Sequence, residues 1–163
     1  VEQIGNPASG RAFDPPAQED QMENQIVDIE TAIAAPPEKV WQALTGPGAT
    51  VMPMTTVTTD WTVGHPIVFA GEWKGKAFED HGAIRKVAEG REVIFTHWSG
   101  NRPQPEDYHV VRYALAPDGV GTKVRLTQSN IGPKAEVDDK TKAEFTKTFG
   151  MMLDQLKQAA EAA

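Results

Sequence analysis

The stretch from Val137 to Ala162 constrains the fold more than any other. Phe145, Phe149, Met152 or Leu153, and Leu156 recur at spacings of four, three and four. This makes one apolar stripe at a period near 3.6, with a charged face opposite. Such a helix needs a second layer to bury its stripe. The chain between Asn24 and Ile131 reads as one short helix and a set of alternating strands, whose apolar face needs a cover in turn. The expectation is an α+β domain in which a curved antiparallel sheet closes on a long C-terminal helix around an interior cavity.

With 163 residues, 39% of them hydrophobic, the chain suffices for one domain with a proper core. No apolar run approaches the roughly 20 residues of a membrane-spanning helix, so membrane insertion is not expected. The absence of cysteine excludes disulfides, thiolate metal sites and a cysteine nucleophile. The first residues show no charged, apolar, small-residue signal pattern, and a cytoplasmic location is the expectation. The net charge of -7 is unevenly spread: Glu2, Asp14, Glu19, Asp20 and Glu23 face only Arg11 in residues 1–23. Gly5, Pro7, Gly10, Pro15 and Pro16 interrupt that stretch, which reads as a flexible acidic tail ahead of a domain over 24–163. No basic patch exists, so nucleic acid and anionic membrane surfaces are not expected partners.

Gln25 to Ala34 alternates as a strand, with Val27, Ile29, Thr31 and Ile33 toward the core. Pro36-Pro37-Glu38 opens a helix with Val40, Trp41 and Leu44 on its apolar face, and Gly46-Pro47-Gly48 ends it. Met52 to Thr59 is a weak, threonine-rich strand. Pro66 to Trp73, Lys76 to Ala88 and Arg91 to Trp98 follow as a meander joined by two-residue turns, Lys74-Gly75 and Glu89-Gly90, with glycine where a tight hairpin favours positive φ. Tyr108 to Ala116 and Thr122 to Ser129 pair through Pro117-Asp118-Gly119, and Gly132-Pro133 precedes the last helix.

These turns fix which side chains share a face. Through Lys74-Gly75, Gly71 opposes Phe78 and Phe69 opposes Asp80; through Glu89-Gly90, Lys86 opposes Val93, Ile84 opposes Phe95 and Gly82 opposes His97. The inner face then carries Ile67, Phe69, Trp73, Phe78, Asp80, Ile84, Val93, Phe95 and His97, joined by Val111, Tyr113, Leu115, Val124, Leu126 and Gln128. Glu72, Glu79, His81, Arg85, Glu92, Arg112 and Arg125 fall on the solvent side. A bulge at Gly82 would instead turn Asp80 outward and His81 inward.

Several segments, in this order, resemble a known superfamily: Pro36-Pro37-Glu38-Lys39-Val40-Trp41-Gln42-Ala43-Leu44-Thr45, Asp60-Trp61-Thr62-Val63-Gly64, Gly71-Glu72-Trp73 to Asp80-His81-Gly82, and Met152-Leu153-Asp154-Gln155-Leu156-Lys157. They are similar to the SRPBCC, or START-like, superfamily, and more narrowly to the group named after the activator of heat-shock-protein-90 ATPase. The resemblance spans about Gln25 to Ala160. Phe149 stands where that pattern often has tryptophan, and the tail has no counterpart in it. The resemblance implies a helix-grip: six to seven antiparallel strands wrapped around the C-terminal helix, two short helices after the first strand, and a cavity between sheet and helix. It leaves function open, since the superfamily holds lipid and hormone binders, polyketide cyclases and co-chaperones.

Most of the aromatic and apolar positions have packing as their first explanation, and Asp60 ahead of Trp61 reads as a turn-forming carboxylate with the indole plugging one end of the sheet. Asp80 and His97 differ, because pairing sets them diagonally on the inner face beside Phe69. Diagonal neighbours lie roughly 7 to 8 Å apart at the backbone, within reach of a carboxylate and an imidazole. A buried carboxylate without a partner costs several kcal/mol in order of magnitude, so pairing is expected. The four histidines, His65, His81, His97 and His109, lack metal-ligand spacing, and no phosphate-cradling loop or nucleophile elbow is present. No metal and no cofactor is expected.

The leading expectation is non-catalytic binding of a small hydrophobic or aromatic molecule, lipid-like or polyketide-like. Its site would comprise Phe69, Trp73, Phe78, Phe95, Phe149 and Met152 with the sparse polar groups Asp80, His97, Tyr113 and Gln128. Two alternatives stand beside it: a co-chaperone-like regulator of a heat-shock-protein-90-type ATPase, and a cyclase- or lyase-type enzyme in which Asp80 and His97 share a proton.

Overall fold

The computed structural model describes residues 24–47 and 54–162. The expected acidic tail, and Met52 and Pro53 of the weak strand, lie outside the described residues. The elements run β1 (Gln25–Ile33), α1 (Pro37–Thr45), β2 (Thr55–Thr58), β3 (Pro66–Trp73), β4 (Lys76–Ala88), β5 (Glu92–Ser99), β6 (Tyr108–Asp118), β7 (Gly121–Ile131) and α2 (Asp139–Ala162). Seven strands form one curved, unclosed sheet in the order β1-β7-β6-β5-β4-β3-β2, every neighbouring pair antiparallel. This is the helix-grip. Between β1 and β2, α1 is the short helix found among the described residues, where two were expected.

Local chemistry explains each boundary. Pro37 opens α1, where a missing N–H costs nothing, and the Gly46 N–H closes it on the Gln42 carbonyl at 2.7 Å. Asp138 caps α2 by accepting from the Thr141 N–H at 2.8 Å. Hydrogen bonding from the Thr141 hydroxyl, and then from its N–H, holds the Asp138 carboxyl below its usual range. The Asp60 carboxylate accepts from the Thr62 N–H at 3.0 Å, the expected turn, while Trp61 packs partly buried against the core.

The inner face of the sheet and the stripe of α2 make one core: Phe149, Met152, Leu153, Leu156 and Ala160 of the helix meet Ile33, Phe95, Tyr113, Leu126 and their neighbours, with Val40 and Leu44 of α1 closing one side. Burial of this kind contributes roughly 25 cal/mol per Å² of apolar surface. It is what holds the helix in the grip.

Register agrees with the sequence pairing at some turns and departs from it at others. Lys74 and Gly75 have φ of 52° and 80°, and Trp73 pairs with Lys76, as a two-residue hairpin with both residues left-handed requires. The β6–β7 ladder continues through Pro117 to Asp118, which pairs with Gly121, so the turn is Gly119-Val120. Between β4 and β5, Ala88 pairs with Glu92, which makes the loop three residues rather than Glu89-Gly90 alone. The offset is reversed by a bulge between Ile84 and Lys86. Lys86 therefore opposes Ile94, not Val93, and Val87 takes the inward place opposite Val93.

That bulge also explains the ion cluster on the outer face. Lys86, turned outward, places Nζ 2.6 Å from Oε1 of Glu92, and the Arg112 Nε–H donates to the other carboxylate oxygen. Glu92 and Arg112, expected in solvent, are both buried. Diagonal pairing across β5–β6 lets the two long side chains lie over the sheet against each other.

Candidate functional site

A cavity of about 250 Å³ lies between the sheet and the first half of α2. β5 contributes Phe95 and His97 and β6 contributes Val111; the helix contributes Phe145, Phe149 and Met152. The exposed Glu144 and Thr148 complete the lining at the rim, one helical turn apart.

Asp80 and His97 meet as the diagonal pairing requires. Asp80 pairs with Ser99 across β4–β5, which makes His97 its diagonal neighbour, and His97 Nε2 lies 3.0 Å from Asp80 Oδ2. No shift in register separates the pairs on either side of Gly82. Glycine is needed there for another reason: a Cβ would stand 1.7 Å from the Thr96 carbonyl oxygen of the adjoining strand. His81 faces the other way, its Nδ1 2.6 Å from the Gly100 carbonyl.

Phe69 backs the pair, edge-on to His97 at 5.2 Å between ring centroids and tilted against Phe95 at 5.5 Å. Phe95 in turn stacks on Tyr113 at 6.5 Å. Phe69 and Tyr113 are fully buried behind the lining, and burial pushes the Tyr113 hydroxyl far up from its ordinary value. They are the floor rather than the wall.

His109 is the residue that sequence reasoning missed. Its ring lies over His97 with centroids 5.7 Å apart and planes 18° off parallel, and meets Phe145 edge-on at 5.7 Å. His109 Nδ1 is 2.7 Å from Asn130 Oδ1. The Asn130 amide is fixed by its other end, because Nδ2 donates to the Ala135 carbonyl at 3.2 Å and a carbonyl can only accept. Nδ1 of His109 is therefore the donor, and Gln128 Nε2 adds a second donor to Asn130 Oδ1 at 3.3 Å. Burial holds the His109 imidazole below its usual protonation range, with His97 adding to the effect and Asn130 and Asp80 opposing it. The signal was in the alternation, since His109 is in phase with Val111, Tyr113 and Leu115, and Asn130 with Gln128.

Of the expected site residues, Phe95, His97, Phe149 and Met152 line the cavity. Asp80 holds His97, and Gln128 joins the amide network behind His109. Trp73 and Phe78 are not among the residues that line the cavity. Both sit at the β3–β4 hairpin end; Trp73 is 66% exposed, with Lys74 Nζ 5.8 Å from its ring centroid, and Phe78 packs over Gly71. They share the parity of the inner face, but the hairpin runs past the helix that covers it. Among the described residues no three His, Asp or Glu side chains converge as metal ligands. Nor is any described helix long and apolar enough to cross a membrane.

Comparison with known proteins places this geometry. The solution structure of ChR145 from Cytophaga hutchinsonii is 38% identical, covers 83% of this chain and 93% of its own, and superposes with a TM-score of 0.65. The solution structure of the Aha1 dimer from Colwellia psychrerythraea is 25% identical, with 83% and 95% covered and a TM-score of 0.62. Protein CV1439 from Chromobacterium violaceum, at 20% identity, 86% and 99% covered and a TM-score of 0.65, shares the fold. No curated protein sequence matches the chain. The model of the family described as "Activator of Hsp90 ATPase homolog 1-like protein" matches residues 34–161, and the chain belongs to that family.

Proposed function

We propose that the chain is a binding module that takes a small, largely apolar or aromatic molecule into the cavity between the sheet and α2, without catalysis. The observation that carries this reading is the composition of the wall: Phe95, Val111, Phe145, Phe149 and Met152 surround the His97 ring, which Asp80 holds. An apolar wall with a few placed polar groups is the usual make-up of a small-molecule site. A cytoplasmic location belongs to the same proposal.

Native mass spectrometry of gently purified protein, followed by NMR titration with the molecule it carries, tests this. Retained lipid or aromatic, with shifts centred on Phe95, Val111 and Phe149, supports it. A bare protein on which two-ring aromatics give shifts scattered over the surface removes it.

A second reading is contact with a heat-shock-protein-90-type chaperone, favoured by the family description and by Met54 and Trp73, 86% and 66% exposed near the β2–β3 edge. A pull-down that recovers no such chaperone, with its ATPase rate unchanged on addition of this chain, would exclude it.

A further inference from the structure

Resting on the binding reading, we infer that the cavity selects aromatic molecules of one or two rings that carry a hydroxyl group, with the hydroxyl donating to Nδ1 of His97. Hydrogen bonding at the His97 ring dictates this choice. Nε2 lies against the Asp80 carboxylate, which can only accept, so Nε2 carries a proton and donates to it. Nδ1 has no hydrogen-bond partner among the described residues, while the ring itself lines the cavity. In the neutral imidazole this nitrogen is a bare lone pair on a ring that lines an apolar space. It calls for a donor.

Ligand classes sort accordingly. A hydrocarbon, ether or ketone brings no donor and leaves the lone pair unmatched. A carboxylate needs a protonated His97, and even then meets Asp80 on the far side of the ring and Glu144 at the rim, two like charges. A phenol-type hydroxyl suits both states of the ring. It donates to the lone pair when His97 is neutral, and its oxygen accepts from Nδ1–H when His97 is protonated. His109, whose Nε2 is the acceptor once its Nδ1 proton is committed to Asn130, does not compete for the role, because its ring is not part of the lining.

Size and shape set the rest. A cavity of roughly 150 Å³ takes benzene, so about 250 Å³ admits one ring with substituents or two fused rings. Phe95, Phe145 and Phe149 offer faces and edges for an aromatic plane.

The test is calorimetric titration of the unmodified chain with 2-naphthol, 2-methoxynaphthalene and 2-naphthoate at neutral pH. Naphthol is expected to bind about tenfold more tightly than the methoxy compound, the discrimination that a buried acceptor gives against a ligand lacking its donor. Naphthoate is expected to be weakest. The His97→Phe variant should bind naphthol and methoxynaphthalene alike, and His97→Gln, which keeps an acceptor oxygen, should restore part of the preference. Equal binding of naphthol and the methoxy compound to the native chain would overturn this inference while leaving the binding reading intact. Tightest binding of naphthoate would do the same. Failure of all three to bind would overturn both. Because the comparison is made among ligands on one native protein, it stands even where a His97 variant does not fold.

Discussion

His97 and His109 lie ring over ring, 5.7 Å between centroids, yet each is held by a different kind of partner. His97 has a carboxylate, Asp80; His109 has an amide, Asn130. Two stacked imidazoles cannot cheaply both be charged. The amide oxygen beside His109 asks only for an N–H that the neutral ring already supplies.

Acidification should therefore destabilise the fold through His109. Its folded protonation point lies below the ordinary value of 6.5, chiefly because of burial. The unfolded chain then binds more protons than the native one in the window between the two values, so stability is fully present above about 6.5 and falls as the pH drops toward the folded value. Urea melts at pH 7.5 and pH 5.0 should show a larger loss for the native chain than for His109→Gln, which keeps a donor for Asn130. Equal losses would assign the acid sensitivity elsewhere.

Gly82→Ala should be among the most damaging single substitutions. The new Cβ would meet the Thr96 carbonyl oxygen at 1.7 Å, a backbone atom in a central ladder that cannot step aside. Overpacking of a core costs roughly 1–3 kcal/mol, and this site belongs at the top of that range or above it. Because β4 must shift away from β5, the Asp80–His97 bond should be lost as well. A folded Gly82→Ala protein in which the His97 ring signals are unmoved would refute the assignment.

Sequence reading and structure part a few residues beyond this glycine. The meander, the final helix and the faces of β6 and β7 were legible because side-chain parity and the Lys74-Gly75 turn determine them jointly. The Asp80–His97 pair was legible too, but through two departures that cancel: one extra residue in the loop after Ala88, and one extra at the bulge between Ile84 and Lys86. Nothing in a list of residues announces that bulge. Its motive is visible only in three dimensions, where it sends Lys86 out to Glu92 and Val87 in toward Val93. Trp73 lies away from the cavity for a different reason, since parity gives the face of a strand but not how far the covering helix reaches.

The buried Glu92–Arg112 pair gives a test of the outer face. Glu92→Gln removes the charge that both Lys86 and Arg112 approach, taking this carboxylate away from a buried guanidinium. Breaking one partner of a buried pair costs about 3–5 kcal/mol, and Lys86, which is partly exposed, moderates this by turning its ammonium to solvent. A loss near 3 kcal/mol by urea denaturation is expected. A second substitution, Arg112→Met, should recover much of it. A single-mutant loss under about 0.5 kcal/mol would mean that the pair behaves as an exposed one.

One substitution placed at two sites separates the cavity from the core around it. Val111 lines the cavity, whereas Val124, paired with Leu115, is fully enclosed by the core. Valine to phenylalanine at 124 forces added ring atoms into packed space and should cost about 1–3 kcal/mol. At 111 the same atoms enter the cavity, where apolar burial at roughly 0.8 kcal/mol per methylene offsets the strain, so stability should stay within about 1 kcal/mol of the native chain. Binding should respond in the opposite sense: Val111→Phe fills the space a two-ring ligand needs and should abolish its uptake, while any Val124→Phe protein that folds should retain it. Thermal melts and a titration with 2-naphthol on the two variants read both quantities. Equal destabilisation at the two positions, with naphthol uptake untouched by Val111→Phe, would show that the space beside His97 is not where a ligand goes.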